Sequence, residues 1–273
     1  MKMSVFRLLL PGIVVAEGAL LYFVLSQFPG LTLEQRLLIG AGVLASNILP
    51  VGLIFYGKKR KQEFHATLAN VTRENSLQAQ QLENSEFPKQ LQEMHFTETS
   101  HESFGLEGLY SRDALGKQHV LALGRWVVTS AGLGTTSARR TKTFTKLYWW
   151  GHSDRWSFPE LTIGPRMLPD FLLSQAGIHT DQLVKLTHPS ETFRKKFLVV
   201  SPQTDQAKAF LERYPGTFFD LFTDWKPFWE LRLHGDRLCL SVQRSSGWFS
   251  RQEIELLVAR GKNVQSALES QRS

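Results

Sequence analysis

Two uncharged-looking stretches dominate the first fifth of the chain. Residues 8–28 read LLLPGIVVAEGALLYFVLSQF and residues 37–57 read LLIGAGVLASNILPVGLIFYG, with Glu17 the one charged side chain in the two. At about 1.5 Å per helical residue, each run reaches roughly 30 Å, the thickness of a bilayer's hydrocarbon core. A soluble helix of that length carries a polar stripe, and neither run has one. A secretory signal would explain the basic start of the first run. Its length, the internal Glu17 and the lack of a clear A-x-A cleavage site argue against that, as does a second run directly behind it. The expectation is a transmembrane hairpin over residues 1–57.

Lys58, Lys59, Arg60 and Lys61 follow the second run without a gap, and Lys2 and Arg7 precede the first. The connecting PGLTLEQR holds a single cation. Cationic flanks stay on the cytoplasmic side. Both termini are therefore expected in the cytoplasm and the protein in the inner, cytoplasmic membrane. These flanking cations also suit anionic lipid head groups, which leaves little reason to read them as a nucleic-acid patch.

Glu17 and Asn47 lie at matching distances from the turn near Leu31–Thr32, so an antiparallel hairpin brings them to one depth. A carboxyl in lipid is costly unless neutral or partnered. The pair is expected to hydrogen-bond and hold the hairpin, or a dimer, together, because two helices make a poor ion path. Small residues four apart (Gly12 and Ala16, Ala41 and Ala45, Gly42 and Ser46) allow close helix approach. Pro11 and Pro50 are kinks of a kind that membrane helices tolerate.

Residues 62–86 lack Gly and Pro and favour a helical stalk within a 58–88 basic flank. Phe64, Leu68 and Val71 form its apolar stripe, which leaves room for a homodimer contact. Phe87–Pro88 is expected to end it. From residue 89 the chain reads as a cytoplasmic α+β domain. HVLALGRWVV (119–128) and TKTFTKLYWW (141–150) form a hairpin around the basic tip TSAGLGTTSARR. ELTIGP (160–165) and ETFRKKFLVVS (191–201) read as strands, MLPDFLLSQAG as a helix stopped at Gly177, and TDQAKAFLERYPG as a helix capped by Thr204. FWELRLHGDRLCLSVQR turns at His234-Gly235-Asp236. A final amphipathic helix starts at a Ser250–Glu253 capping box. Paired strands with intervening helices give a mainly antiparallel sheet with flanking helices.

Read in order, FPELTIGP, FRKKFLVVS, a helix, WELRLHGDRLCLSVQR and a last helix resemble a family of uncharacterised prokaryotic membrane proteins with two N-terminal transmembrane helices and a cytoplasmic α+β domain. The resemblance covers roughly residues 119–260. It implies the fold and the membrane anchor, and no activity. The tip GLGTTSARR and the Trp-rich WWGHSDRW depart from the family's pattern.

Nothing in the sequence announces catalysis. The eight histidines show no H-E-x-x-H or Cys/His cluster, so no metal or other cofactor is expected. Cys239, the single cysteine, cannot form an internal disulfide and alternates with leucines as a packing residue does. Gly132-Leu-Gly134 lacks the Gly-Lys-Ser/Thr ending of a phosphate loop. Trp149, Trp150 and Trp156 fit a core beneath a sheet better than a stacking site. Charge is the stronger signal: residues 119–273 hold 21 cations against 14 anions. Two clusters stand out, Arg139, Arg140 and Lys142, and Arg194, Lys195 and Lys196. Both suit anionic lipid head groups or an acidic protein partner, while no recognition motif points to nucleic acid. The expectation is a membrane-held binding or scaffolding module, not an enzyme. A subunit of a larger membrane complex and a tethered enzyme are the alternatives.

Overall fold

The structure is a computed structural model that describes residues 27, 30, 32–82, 87–94, 102–114, 117–130, 140–166, 180–187, 191–225, 228–245 and 247–270. Within its helices and strands, the side chains of residues 36, 40–54, 88, 92, 102–104, 114, 126, 128–130, 140–142 and 180 lie outside that description. The chain divides into two units, Met1–Glu63 and Phe64–Ser273.

Helix α1 (Leu33–Glu74) starts within the first unit, four residues before the second apolar run, and its last residues, from Phe64 on, belong to the second. A capping box sets that start. Gln35 N–H donates to Thr32 Oγ1 (3.3 Å), and Thr32 N–H donates to Gln35 Oε1 (3.0 Å). Leu37 and Leu38 are exposed to 65% and 77%. Among the described residues no helix is long and apolar enough to cross a membrane. The first run with Glu17 lies outside the described residues, as do the side chains of 40–54, Asn47 included. The Glu17–Asn47 contact is therefore not among the described features.

The second unit is α+β, built on one eight-stranded sheet. Its strands are β1 (Gln78–Ala79), β2 (Glu102–Ala114), β3 (Lys117–Ser130), β4 (Arg140–Ser153), β5 (Phe158–Pro165), β6 (Phe197–Val200), β7 (Trp229–Gly235) and β8 (Arg237–Arg244). The spatial order is β1-β2-β3-β4-β8-β7-β5-β6. Every pairing is antiparallel. The expected β3–β4 hairpin is present, with Val120 opposite Trp150 and Val128 opposite Lys142.

Successive residues of the central strands serve opposite faces, and both faces are covered. Leu121, Leu123, Leu147 and Trp149 join one core with Leu231, Leu240 and the helices α4 (Thr204–Leu211), α5 (Gly216–Asp220) and α6 (Arg251–Ser270). Val120, Ala122, Tyr148, Trp150 and Cys239 form a smaller core on the other face, under Phe87, Leu91 and Met94. This is why HVLAL and KLYWW read as continuous apolar runs instead of alternating ones. All three flagged tryptophans, 149, 150 and 156, are buried.

Several boundaries differ from the sequence reading. Phe64, Leu68 and Val71 are buried in this chain's own larger core, so the stripe reserved for a second copy is already covered. Helix α1 stops at Glu74, twelve residues short of the expected end. Ser76 adopts a left-handed φ of 58°. Leu77 N–H then reaches back to Thr72 O (2.8 Å) and Ser76 N–H to Arg73 O (3.0 Å). That pattern closes a helix C-terminus, with Leu77 buried beside it. Pro88 does not end a helix but sits in the first turn of a new one, α2 (Phe87–Glu93), where a missing N–H costs nothing. Residues 191–196 are helix α3 (Glu191–Lys196), not strand, because Phe193 turns inward to pack on Phe219 and Phe222. Thr204 is the first helical residue and Gln203 its cap, without a side-chain bond. The final capping box forms as expected: Ser250 N–H and Oγ both donate to Glu253 Oε2 (2.8 and 2.9 Å). The helix expected to stop at Gly177 lies outside the described residues.

Candidate functional site: a cationic cleft beside an edge strand

Strand β6 is the last in the sheet, and a short segment shields its outer edge. A 3-10 turn, Thr180–Gln182, leads into Leu183, which bridges Val200. Val184 N–H donates to Val199 O (2.9 Å), and Ser201 N–H donates to Gln182 O (2.9 Å). Val184 and Leu186 are buried and Lys185 between them is exposed, as alternation along an extended segment requires. On the opposite flank, Arg166 follows the end of β5, and its N–H donates to Lys196 O (2.7 Å).

Helix α3 closes the arrangement. Phe193 stacks on Phe197 (5.2 Å between ring centroids) and so fixes the face on which Arg194 stands exposed. Between these pieces lies a cleft of about 310 Å³. Leu183, Phe193 and Phe197 contribute apolar wall, and Arg166, Lys185 and Arg194 contribute charge, with no carboxylate among the described lining residues. The size is at the lower end of ligand cavities, and the charge suits an oxyanion such as a phosphate group. Arginine presents planar donors to such an oxyanion, and lysine adds a point charge.

The predicted cluster Arg194, Lys195 and Lys196 is therefore divided. Only Arg194 lines the cleft. Lys195 pairs with Glu191 (2.8 Å) on the exposed side of α3, an arrangement that contributes little. Lys196 Nζ donates to Thr223 O (3.1 Å). Arg139 lies outside the described residues; Arg140 and Lys142 are placed in β4 by backbone only. Sequence reasoning missed Arg166 and Lys185. Each is a lone cation after a strand end or in a loop, and only the β5–β6 pairing with the 180–186 segment brings them beside Arg194.

The flanking cations Lys58, Lys59, Arg60 and Lys61 are exposed on α1. Lys59 lies 3.7 Å from Glu63, and Arg60 Nε donates to the Tyr56 hydroxyl (2.9 Å). Lys58 sits 6.0 Å from the Phe55 ring centre. Cys239 is buried, and burial pushes its thiol up to about 12, so it has no thiolate character at neutral pH.

Compared with protein-family models, curated proteins and solved structures, the chain matches none.

Proposed function

We propose that the chain is an inner-membrane protein whose cytoplasmic α+β unit binds anionic head groups through the Arg166–Lys185–Arg194 cleft. It acts as a binding or scaffolding module, not as an enzyme. The observation that carries this reading is the meeting of three cations from three separate segments in one cleft whose described lining residues include no carboxylate. The anchor belongs to the same reading. It rests on the two 21-residue apolar runs, on the exposure of Leu37 and Leu38, and on the aromatic and cationic residues 55–61 at the helix's charged flank. Glu17 and Asn47 hold the hairpin within it, and the resemblance to prokaryotic two-helix membrane proteins is part of it. A homodimer, in this reading, would form through the membrane helices, since Phe64, Leu68 and Val71 are occupied.

A tethered unit meets the leaflet at high effective concentration, so contacts worth about 1 kcal/mol per cation suffice. The test is flotation of the unit Phe64–Ser273 with phosphatidylglycerol vesicles. Binding is expected at low ionic strength and is lost as salt rises. Arg166→Glu combined with Lys185→Glu and Arg194→Glu abolishes it. Absence of binding at low salt, or a triple variant that floats like the parent, rules the cleft out. Retention of an acidic peptide instead of vesicles would move the ligand from lipid to protein.

A further inference from the structure

Two tripeptides of like composition, His152-Ser153-Asp154 and His234-Gly235-Asp236, lie 82 residues apart and end two different strands. The β4–β8 pairing sets His152 opposite Arg237 and so brings the turn after β4 against the turn after β7. Ser153 N–H donates to Asp236 O (3.1 Å), which fixes the two turns to each other. The first turn is closed by Trp156 N–H to Ser153 O (2.9 Å), and the buried Trp156 ring lies over Gly151. In this frame His152 Nε2 stands 3.0 Å from Asp236 Oδ2 and 3.5 Å from Asp154 Oδ1.

We propose that His152, Asp154 and Asp236 form a binding site for a divalent transition cation of the zinc type. Three ligand atoms around a tetrahedral zinc, with bonds near 2.0 Å, are about 3.3 Å apart. The two imidazole–carboxylate separations bracket that value, and all three atoms lie within 4.8 Å of one another. Two carboxylates and a neutral imidazole balance a dipositive ion. An imidazole among oxygen ligands suits zinc, cobalt or nickel and disfavours calcium and magnesium. Arg237 Nε lies 3.2 Å from Asp236 Oδ1, the oxygen turned away from His152. It thus orients the carboxylate and leaves Oδ2 for the metal, the task outer partners perform around metal ligands. The exposed Asp154 side leaves the fourth position open to water. The sequence hides the site because its ligands come from two turns with no short spacing between them, and the expectation of no metal rested on that missing spacing.

The test uses the purified, metal-stripped full chain titrated with Zn²⁺ and with Co²⁺. One equivalent is expected to bind, cobalt giving the visible bands of a tetrahedral nitrogen–oxygen site, and Mg²⁺ failing to compete. His152→Gln, Asp154→Asn and Asp236→Asn each weaken binding at least about tenfold. Asp154 is 89% exposed, so its replacement leaves the fold intact, and Zn²⁺ raises the thermal midpoint of the parent but not of Asp154→Asn. No saturable uptake, or uptake that these three substitutions leave unchanged, overturns the site and reduces the trio to a simple imidazole–carboxylate ion pair.

Discussion

At the scale of single residues, the tightest constraint is Gly261, in the middle of α6. A Cβ there would sit 1.8 Å from Trp149 Cδ1 and 2.3 Å from two further atoms of the same indole. Glycine in a helix interior costs about 1 kcal/mol relative to alanine, so its presence is explained by the ring it admits. Trp149 is almost wholly buried and cannot withdraw. Overpacking of this kind costs about 1–3 kcal/mol or more. Gly261→Ala is expected to lower the denaturant midpoint by at least that much, and adding Trp149→Leu recovers part of it. If Gly261→Ala instead unfolds at the parent's midpoint, the close approach is wrong. His119 also touches this indole. Its ring stacks on Trp149 at 5.5 Å, and Nε2 is 2.9 Å from Gln265 Oε1. Burial holds its pKa below the usual histidine value, with Lys117 and Arg112 adding to the effect and the Gln265 bond and Glu269 opposing it. The folded state then takes up the proton less readily than the unfolded chain. Stability is complete above about pH 6.5 and is lost as pH falls from there through the lowered value. Thermal midpoints measured across that window should fall for the parent more steeply than for His119→Gln. Equal slopes would show that another group carries the acid sensitivity.

At the scale of elements, the end of α1 is the informative case. Its last turn is closed by Ser76 in the left-handed region, a conformation that costs a non-glycine residue about 1–2 kcal/mol. Ser76→Gly is therefore expected to stabilise the second unit by about 1 kcal/mol, read as a raised urea midpoint with an unchanged slope. A neutral or destabilising result would mean that Ser76 contributes a bond worth as much as the strain. The sequence showed where α1's apolar stripe lay but not its end, because no Gly, Pro or obvious cap marks Asn75 and Ser76. The same limit explains the other boundary errors. Strands β3, β4, β7 and β8 and the capping box of α6 were readable, since local pairs of apolar runs, a Gly-Asp turn and a Ser-x-x-Glu motif define them. Residues 191–196 misled because their aromatic and cationic pattern serves a helix as well as a strand, and only packing against Phe219 and Phe222 decides between them. Strand β2 had too mixed a composition to signal itself, and the cleft was legible only at Arg194. Arg166 and Lys185 acquire meaning from sheet order, which no local window contains.

At the scale of the whole molecule, charge and apolarity are segregated along the chain. Residues 1–57 carry three cations and two anions around two apolar runs, and residues 119–273 carry an excess of seven cations. A folded domain translocates largely regardless of its charge, so the basic excess of the sheet unit does not by itself set orientation. In the proposed anchor, the four consecutive cations Lys58–Lys61 would, because they abut the second run and present their side chains to solvent. At a membrane, each would be repelled from the far side by the membrane potential, at about 2.3 kcal/mol per charge per 100 mV, and attracted to the anionic inner leaflet. The full chain is thus expected to resist extraction by alkaline carbonate, and a reporter fused after Ser273 to be active only on the cytoplasmic side. Replacing Lys58, Lys59, Arg60 and Lys61 together by glutamine removes most of the orienting term, leaving Lys2 and Arg7, and keeps both apolar runs intact. That variant should still resist carbonate but place a measurable fraction of its reporter on the far side. Release of the parent by carbonate would refute the anchor itself, whereas a parent that stays in the membrane with its reporter outside would refute only the assigned direction, since insertion depends on apolar length and orientation on the cations beside it.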